Sequence, residues 1–255
     1  PFTSGFVYSV AVHPNDSCTI YATNGQLVYR TVDCSRSWTE VYRESRGDTI
    51  ILSLVFNPGQ PHQIFLTESG GDVLQSKDAG RSWQVVRRFD VPLLQMNSDP
   101  LQPNNLYVIT RRNGMHVSTD LGRTWTSREE NFENFSDALE FRRFLLHPTK
   151  KNVMYWVSTY GILRSPDAGV SWEEMKLITP PGSAQIYGFA INPQNDKEIY
   201  YTATINGRST FYRSEDGGVN WITKQVPSGQ LPTVLYVHPT KANIIYLGFS
   251  EVPKQ

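Results

Sequence analysis

Five tryptophans set the limits on what this chain can fold into. Each closes a copy of one eight-residue phrase: Ser76-Lys77-Asp78-Ala79-Gly80-Arg81-Ser82-Trp83, the copies ending at Trp125, Trp172 and Trp221, and a worn copy, Thr31 to Trp38, ahead of them. The good copies hold Asp78 and Gly80, Asp120 and Gly122, Asp167 and Gly169, and Asp216 and Gly218; the worn one keeps Asp33 but has Ser35 in the glycine position. Alternating apolar runs such as Asp72-Val73-Leu74-Gln75 and Trp83-Gln84-Val85-Val86 flank the phrase, which therefore reads as strand, turn, strand. An Asp carboxylate accepts from backbone amides a few residues on, and Gly permits backbone angles that other residues avoid. The Trp that opens the next strand is large enough to lie across the hairpin, with its indole N–H free to reach a carbonyl.

A second landmark fixes the period independently: a polar residue before Pro, then an aromatic seven residues further on. It occurs as His13-Pro14 with Tyr21, Asn57-Pro58 with Phe65, Asp99-Pro100 with Tyr107, His147-Pro148 with Tyr155, Asn192-Pro193 with Tyr200, and His238-Pro239 with Tyr246. The prolines are 44, 42, 48, 45 and 46 residues apart, the period of four-stranded propeller blades. Each repeat reads as strand A stopped by a Pro that has no N–H to donate, strand B around the aromatic, strand C running into the Asp turn and strand D leaving from its Trp. The predicted fold is an all-β propeller of four-stranded antiparallel blades in one domain, 1–255, with blades at about 6–43, 48–88, 92–128, 138–177 and 183–225. A half blade at 233–249 supplies strands A and B only. A six-bladed ring is the minimal completion and a seven-bladed one stays open; the missing strand pair precedes Pro1, or the chain is a fragment, or it closes against another chain. In strand A the second and fourth residues before Pro are mostly large and apolar: Val12 and Val10, Phe56 and Leu54, Leu146 and Phe144, Ile191 and Phe189, Val237 and Leu235. That predicts burial of alternate residues between stacked blades.

Ser-x-Asp-x-Gly-x-Ser/Thr-Trp resembles the Asp box, the bacterial-neuraminidase repeat of sialidases, sortilin-type receptors, xyloglucanases and photosystem II assembly and stability factors. The resemblance implies a turn between the third and fourth strands of a propeller blade, remote from the ligand face, and it is silent on activity because enzymes and non-enzymes share it. With the recurrent His-Pro landmark and Ile178-Thr179-Pro180-Pro181-Gly182 between the fourth and fifth blades, the chain is most similar to bacterial propellers of the photosystem II assembly-factor group. That similarity implies an exported scaffold or binding protein, extracytoplasmic in the periplasm or at the cell surface, and leaves room for a lipid anchor upstream.

Composition narrows the partners. Lys plus Arg and Asp plus Glu are both 24 in 255 residues, so no basic stripe of the kind that nucleic acid needs is expected. The longest apolar run, Ile50 to Phe56, is far short of a membrane span, and Pro1-Phe2-Thr3-Ser4 does not read as a signal peptide. Cys18 and Cys34 stand just before strand B and just after strand C of the first blade, a placement compatible with a disulfide and equally with two free thiols. Three of the five His residues occupy the position before Pro, where turn chemistry accounts for them, and His62 and His116 stand alone. No metal site and no cofactor are expected.

In the family's orientation the B–C and D–A connections surround the channel mouth, where a ligand would sit. They carry Glu44, Arg46, Glu68, Asp72, Arg87, Arg88, Asp90, Arg111, Arg112, Glu133 and Asp137. Arg142 and Arg143 lie within an inner strand, where an Arg either binds an anion or pairs with a neighbouring acid. Phe132 and Phe135, in an insertion longer than its counterparts, either dock on a partner or fold back over the channel mouth. A sialidase needs a Phe/Tyr-Arg-Ile-Pro motif, which Phe141-Arg142-Arg143-Phe144 does not supply. Other glycosidases need only two carboxylates at a set separation, and nothing in the spacing of these acids selects a pair. The reading is a non-enzymatic scaffold that presents its connections to a protein partner, with Arg88, Arg112, Phe132, Phe135, Arg142 and Arg143 as binding candidates. A glycan-active hydrolase of the sialidase or xyloglucanase type, or a glycan-binding lectin, is the alternative.

Overall fold

The structure, a computed structural model, describes residues 6–250. It is a β-propeller architecture of five four-stranded antiparallel sheets and one two-stranded sheet, each a meander in chain order. Two compact units divide it, Pro1–Glu129 and Glu130–Gln255. The first holds three sheets: β1 (Ser9–His13), β2 (Asp16–Thr23), β3 (Leu27–Thr31) and β4 (Thr39–Arg43); β5 (Ile51–Phe56), β6 (Ile64–Glu68), β7 (Asp72–Ser76) and β8 (Gln84–Arg88); β9 (Leu93–Ser98), β10 (Leu106–Thr110), β11 (Met115–Ser118) and β12 (Thr126–Ser127). The second holds β13 (Phe141–Leu146), β14 (Met154–Ser158), β15 (Ile162–Ser165) and β16 (Glu173–Glu174); β17 (Gln185–Asn192), β18 (Asn195–Ile205), β19 (Arg208–Ser214) and β20 (Ile222–Gln225); and the pair β21 (Leu231–Val237) and β22 (Ile245–Ser250).

Local chemistry explains both sequence landmarks. In the Asp turn of the second sheet, Ser76 Oγ donates to Asp78 Oδ1 at 2.8 Å and accepts from the Gly80 amide at 2.8 Å, while Asp78 accepts from the Ser82 amide and hydroxyl at 2.9 and 2.6 Å. The residue after each Asp is left-handed, as at Ala79 (φ 57°), and so is the next, Gly80 (φ 82°). The worn copy forces Ser35 into the same region (φ 71°), which glycine tolerates and serine does not favour. There Cys34 is disulfide-bonded to Cys18 and its amide donates to the Cys18 carbonyl at 3.3 Å, so a covalent tie holds the turn.

The polar residue before each Pro caps the A–B turn. Asn57 Oδ1 accepts from the Gly59 amide at 2.9 Å, Asp99 Oδ1 from Leu101 at 2.8 Å and Asn192 Oδ1 from Gln194 at 2.8 Å. His13, His147 and His238 do the same through Nδ1, accepting from the amides of Asn15, Thr149 and Thr240 at 3.2 Å each. An imidazole nitrogen here replaces an amide or carboxylate oxygen. The aromatic seven residues later is buried in the first five copies and half-exposed in the sixth, at Tyr246, and Tyr21 also donates from its hydroxyl to the Ala79 carbonyl of the next sheet's Asp turn at 2.7 Å.

The core lies between sheets. β6, β7, β10 and β14 are buried along their whole length, whereas β8 and β20 are largely exposed. Leu54 and Phe56 pack on Ala11, Tyr21 and Val28 of the first sheet, so the alternate apolar residues of strand A face the preceding blade. That fixes a correction: Val10 and Val12 are 57% and 51% exposed, because among the described residues of the first unit no sheet covers that face of β1. Phe144, Phe189, Leu235 and Val237 are buried as the alternation predicts. A side-chain hydroxyl five residues before Pro stitches neighbouring inner strands: Ser9 Oγ accepts from the Leu54 amide at 3.0 Å, and Ser53 Oγ accepts from the Met96 amide at 3.1 Å. These amides sit on the open edge of strand A and have no ladder partner on that side.

The insertion 129–140 folds back on its own unit. Phe132 is buried, its ring 4.5 Å from Trp156 and 5.0 Å from Trp172. Asn131 Nδ2 donates to the Gly169 carbonyl and Trp156 Nε1 to the Ala138 carbonyl, both at 2.7 Å. Phe132 is thus removed as a partner-docking residue: two indole faces outcompete water for its ring. The same stack accounts for Trp172, whose indole N–H finds no acceptor while those of Trp83, Trp125 and Trp221 reach the turn carbonyls of Gly80, Gly122 and Gly218 at 3.2, 3.0 and 3.1 Å.

Two outcomes follow for stability. Phe132→Ala is expected to cost about 3–5 kcal/mol in urea denaturation, the range for deleting a buried aromatic. Ser53→Ala strips the Met96 amide of its acceptor and is expected to cost about 1 kcal/mol by the same measurement.

Candidate functional site

The first unit places an ion cluster where strands D, B and C of its first two sheets come together at their connection ends. Glu68 is the last residue of β6, and Asp72, beyond the Gly70-Gly71 turn, is the first of β7. Glu44 follows β4, and Tyr42 lies within it. Arg46 threads these acids together: its Nε donates to Glu44 Oε1 at 3.0 Å, its Nη1 to Asp72 Oδ2 at 3.1 Å, and its Nη2 to Glu68 Oε2. Tyr42 Oη stands 3.0 Å from Glu68 Oε1 and 3.3 Å from Glu44 Oε2, and Arg88 Nε lies 3.3 Å from Asp72 Oδ1. The Glu68 side chain is 0% exposed and that of Arg46 is 45% exposed, so the guanidinium roofs the carboxylates.

Three acids around one such cation cannot all titrate normally. Burial and the adjoining Glu44 raise the Glu68 carboxyl to about 8. Burial pushes Glu44 up too, but hydrogen bonds from Glu68 and from the side chain and amide of Arg46 outweigh it and bring Glu44 to about 2. At neutral pH the pair therefore holds one shared proton, resident on Glu68. Burial, then the charge of Glu68, raises Tyr42 well above the usual phenol range. Among the described residues, no group of three or more His, Cys, Asp and Glu is arranged to hold a metal ion.

An arginine edge adjoins this cluster. The Arg111 amide donates to the Pro92 carbonyl at 2.8 Å, which lays the connection after β8 beside the β10–β11 turn. Arg87, Arg88, Arg111 and Arg112 are all exposed there, and Arg112 holds a left-handed turn position (φ 61°). Arg87 lies over the Phe89 ring at 5.1 Å, and Phe89 packs on His116 of β11 at 4.9 Å. Burial and then the charge of Arg87 lower the His116 pKa, which favours the neutral ring against Phe89.

The remaining candidates are in the second unit. Phe135, half-buried, meets the Tyr160 ring edge-on at 5.3 Å. Arg142 lies over the Tyr187 ring at 4.5 Å and donates to Thr159 Oγ1 at 3.4 Å. Arg143 turns into a recess of about 150 Å³ between β13, β17 and β21. The sequence supplied Glu44, Arg46, Glu68 and Asp72 as separate connection residues; the structure joins them and adds Tyr42, which spacing did not single out. The one local signal was a Glu and an Asp on either side of a Gly-Gly hairpin.

Protonation of Glu68 gives a signed test. Its native pKa near 8 exceeds its unfolded value, so from about pH 4.5 to about pH 8 the native state keeps a proton the unfolded chain has released, and stability falls as pH rises through that window. Glu44, held near 2, contributes the opposite slope only below about pH 4.5. Urea unfolding at about pH 5, 7 and 9 is expected to show this decline in the native sequence and a flatter profile in Glu68→Gln.

Comparison with known proteins adds fold and little else. The Sortilin-Vps10 family (sortilin, neurotensin receptor 3) matches residues 71–161. A xyloglucanase of Paenibacillus sp is 30% identical over 91 residues, which are 35% of this chain and 9% of that protein. An ancestral GH74 enzyme superposes with a TM-score of 0.74 at 18% identity, over 94% of this chain and 34% of its own. YCF48 bound to a D1 peptide superposes with a TM-score of 0.61 at 15% identity, over 86% of this chain and 67% of its own. This chain spans about a third of the GH74 enzyme and less of the xyloglucanase. What it shares with these structures is the β-propeller fold.

Proposed function

We propose that this chain is a non-enzymatic, extracytoplasmic propeller that binds a protein partner, in the manner of the photosystem II assembly-factor group, through the arginine edge of its first unit. The observation that carries the reading is the hydrogen bond from Arg111 to Pro92, which gathers Arg87, Arg88, Arg111 and Arg112 on one exposed edge. Among the described residues Arg87 and Arg111 have no ion pair, while Glu44 and Glu68 are committed to Arg46 and Asp72 is shared between Arg46 and Arg88. The edge therefore suits an acidic stretch of polypeptide, with the forks of Arg87 and Arg111 available for carboxylates. YCF48, a propeller similar in fold, is known bound to a D1 peptide, which supports a peptide or protein ligand. The Cys18–Cys34 bridge supports an oxidising, extracytoplasmic compartment.

One observation favours a hydrolase instead. Glu68, protonated at neutral pH, has the character of a general acid, with Asp72 close behind it in the cluster. Its side chain is fully buried beneath Arg46, however, and an acid must touch the glycosidic oxygen that it protonates. The scaffold reading needs no such movement of Arg46.

The test has two arms. Against a partner identified by photocrosslinking from position Asp90, Arg87→Glu with Arg111→Glu is expected to slow association about tenfold at low salt and to flatten its salt dependence. Reducing-sugar release from xyloglucan is expected to stay at background. Release that disappears in Glu68→Gln would replace the scaffold by the hydrolase.

A further inference from the structure

The recess at Arg143 lies away from the arginine edge and the ion cluster, and is built within the second unit alone. Its walls are mostly aliphatic, with Leu145, Ile191, Leu235 and Val237 among them beside the rings of Tyr155 and Tyr236, and its end is framed by Pro148, Pro193 and Pro239, the prolines of three A–B turns. It therefore opens at the end of the inner strands opposite the B–C and D–A connections, although the sequence reading of Arg143 as an anion binder placed any ligand at the channel mouth.

Arg143 is out of keeping with its position. Five residues before Pro, the first two sheets place Ser9 and Ser53, whose hydroxyls cap an amide of the next inner strand. Arginine is an acid-seeking donor and cannot accept in their place. Among the described residues its guanidinium has no hydrogen bond and no ion pair, whereas Arg142 beside it is occupied by Tyr187 and Thr159. Several acids of this unit are engaged elsewhere: Glu173 with Arg164, Glu198 and Glu215 with Arg213, and Asp196 with Lys150. Burial alone, with no compensating acid, lowers the Arg143 pKa. A charge removed from water without a counter-ion is costly to keep.

We infer that this recess binds a compact apolar monocarboxylate, its carboxylate held by the Arg143 guanidinium and its hydrocarbon body by the aliphatic walls. The planar guanidinium fork matches a carboxylate bidentately. The volume, about 150 Å³, is that of a cavity that accepts a benzene-sized group of about six carbons. Phosphate or a dicarboxylate would carry a second charge against aliphatic walls, at a desolvation cost with nothing to offset it. A free branched-chain acid and the C-terminal residue of a polypeptide present the same chemistry, and both are tested.

Calorimetric titration of the full chain would use 4-methylpentanoate and acetyl-Gly-Gly-Gly-Leu, each against its uncharged amide. Binding of either acid supports the inference, and which one binds identifies the source. In both cases the amide, and the acid against Arg143→Gln, should bind at least about tenfold more weakly, as expected for loss of a charge-assisted hydrogen bond. Ala190→Leu, which fills the recess and keeps the guanidinium, should abolish binding. A matching rise in the melting temperature with 4-methylpentanoate, absent in Arg143→Gln, reports binding without relying on one variant's yield. The inference is overturned if amides bind as well as acids, if acetate binds as tightly as 4-methylpentanoate, if Ala190→Leu binds undiminished, or if neither acid binds. None of these residues belongs to the arginine edge, so failure here leaves partner binding there untouched.

Discussion

The burial of one sheet's face against the next is the interaction on which everything else rests. A four-stranded sheet with apolar residues on both faces cannot stand alone in water, since the hydrophobic gain comes only when a second sheet covers each face. Strand β6 buries every residue because, within its unit, a sheet lies on each side of it. Where one neighbour is missing within a unit, as beyond β1, residues of the same type are left in solvent. The Asp turns and capped A–B turns hold the ends of the sheets at a common level, so that the apolar faces meet in register.

This division of labour decides what could be read from the amino-acid order. The turns were legible because their chemistry is closed within a few residues: Ser76, Asp78, Gly80 and Ser82 satisfy one another, and so do His147 and Thr149. The ion cluster was not legible. Arg46 lies 22 residues from Glu68 and 26 from Asp72, and only sheet stacking brings them together. Phe132 was open to two readings because its fate depends on Trp156, a tryptophan outside the Asp turns whose role no local pattern announces. Arg143 presents the hardest case. Its significance is that no described residue pairs with its guanidinium, and the lack of a partner is a property of three dimensions.

The two sets of charges solve the same problem in opposite ways. Near the connections of the first unit, excess negative charge is absorbed by one guanidinium and one retained proton, which makes Glu68 a resident of the core and Arg46 its cover. In the second unit a guanidinium is left among aliphatic side chains with its demand unmet. Internally balanced clusters serve the fold, and unbalanced ones are where a ligand gains most by arriving.

The imidazole caps have a consequence of their own. His13, His147 and His238 accept turn amides through Nδ1, which fixes the tautomer: the bare nitrogen faces the turn and Nε2 carries the proton. Asn57, Asp99 and Asn192 place an oxygen in the same role. At His147 the protonated side is turned inward, with Nε2 buried and without a hydrogen-bond partner, and burial lowers the pKa of the ring. The surroundings that hide this imidazole from water therefore also keep it neutral and keep its cap in place. The turn at Pro148, on the rim of the Arg143 recess, is held by a histidine that resists charging.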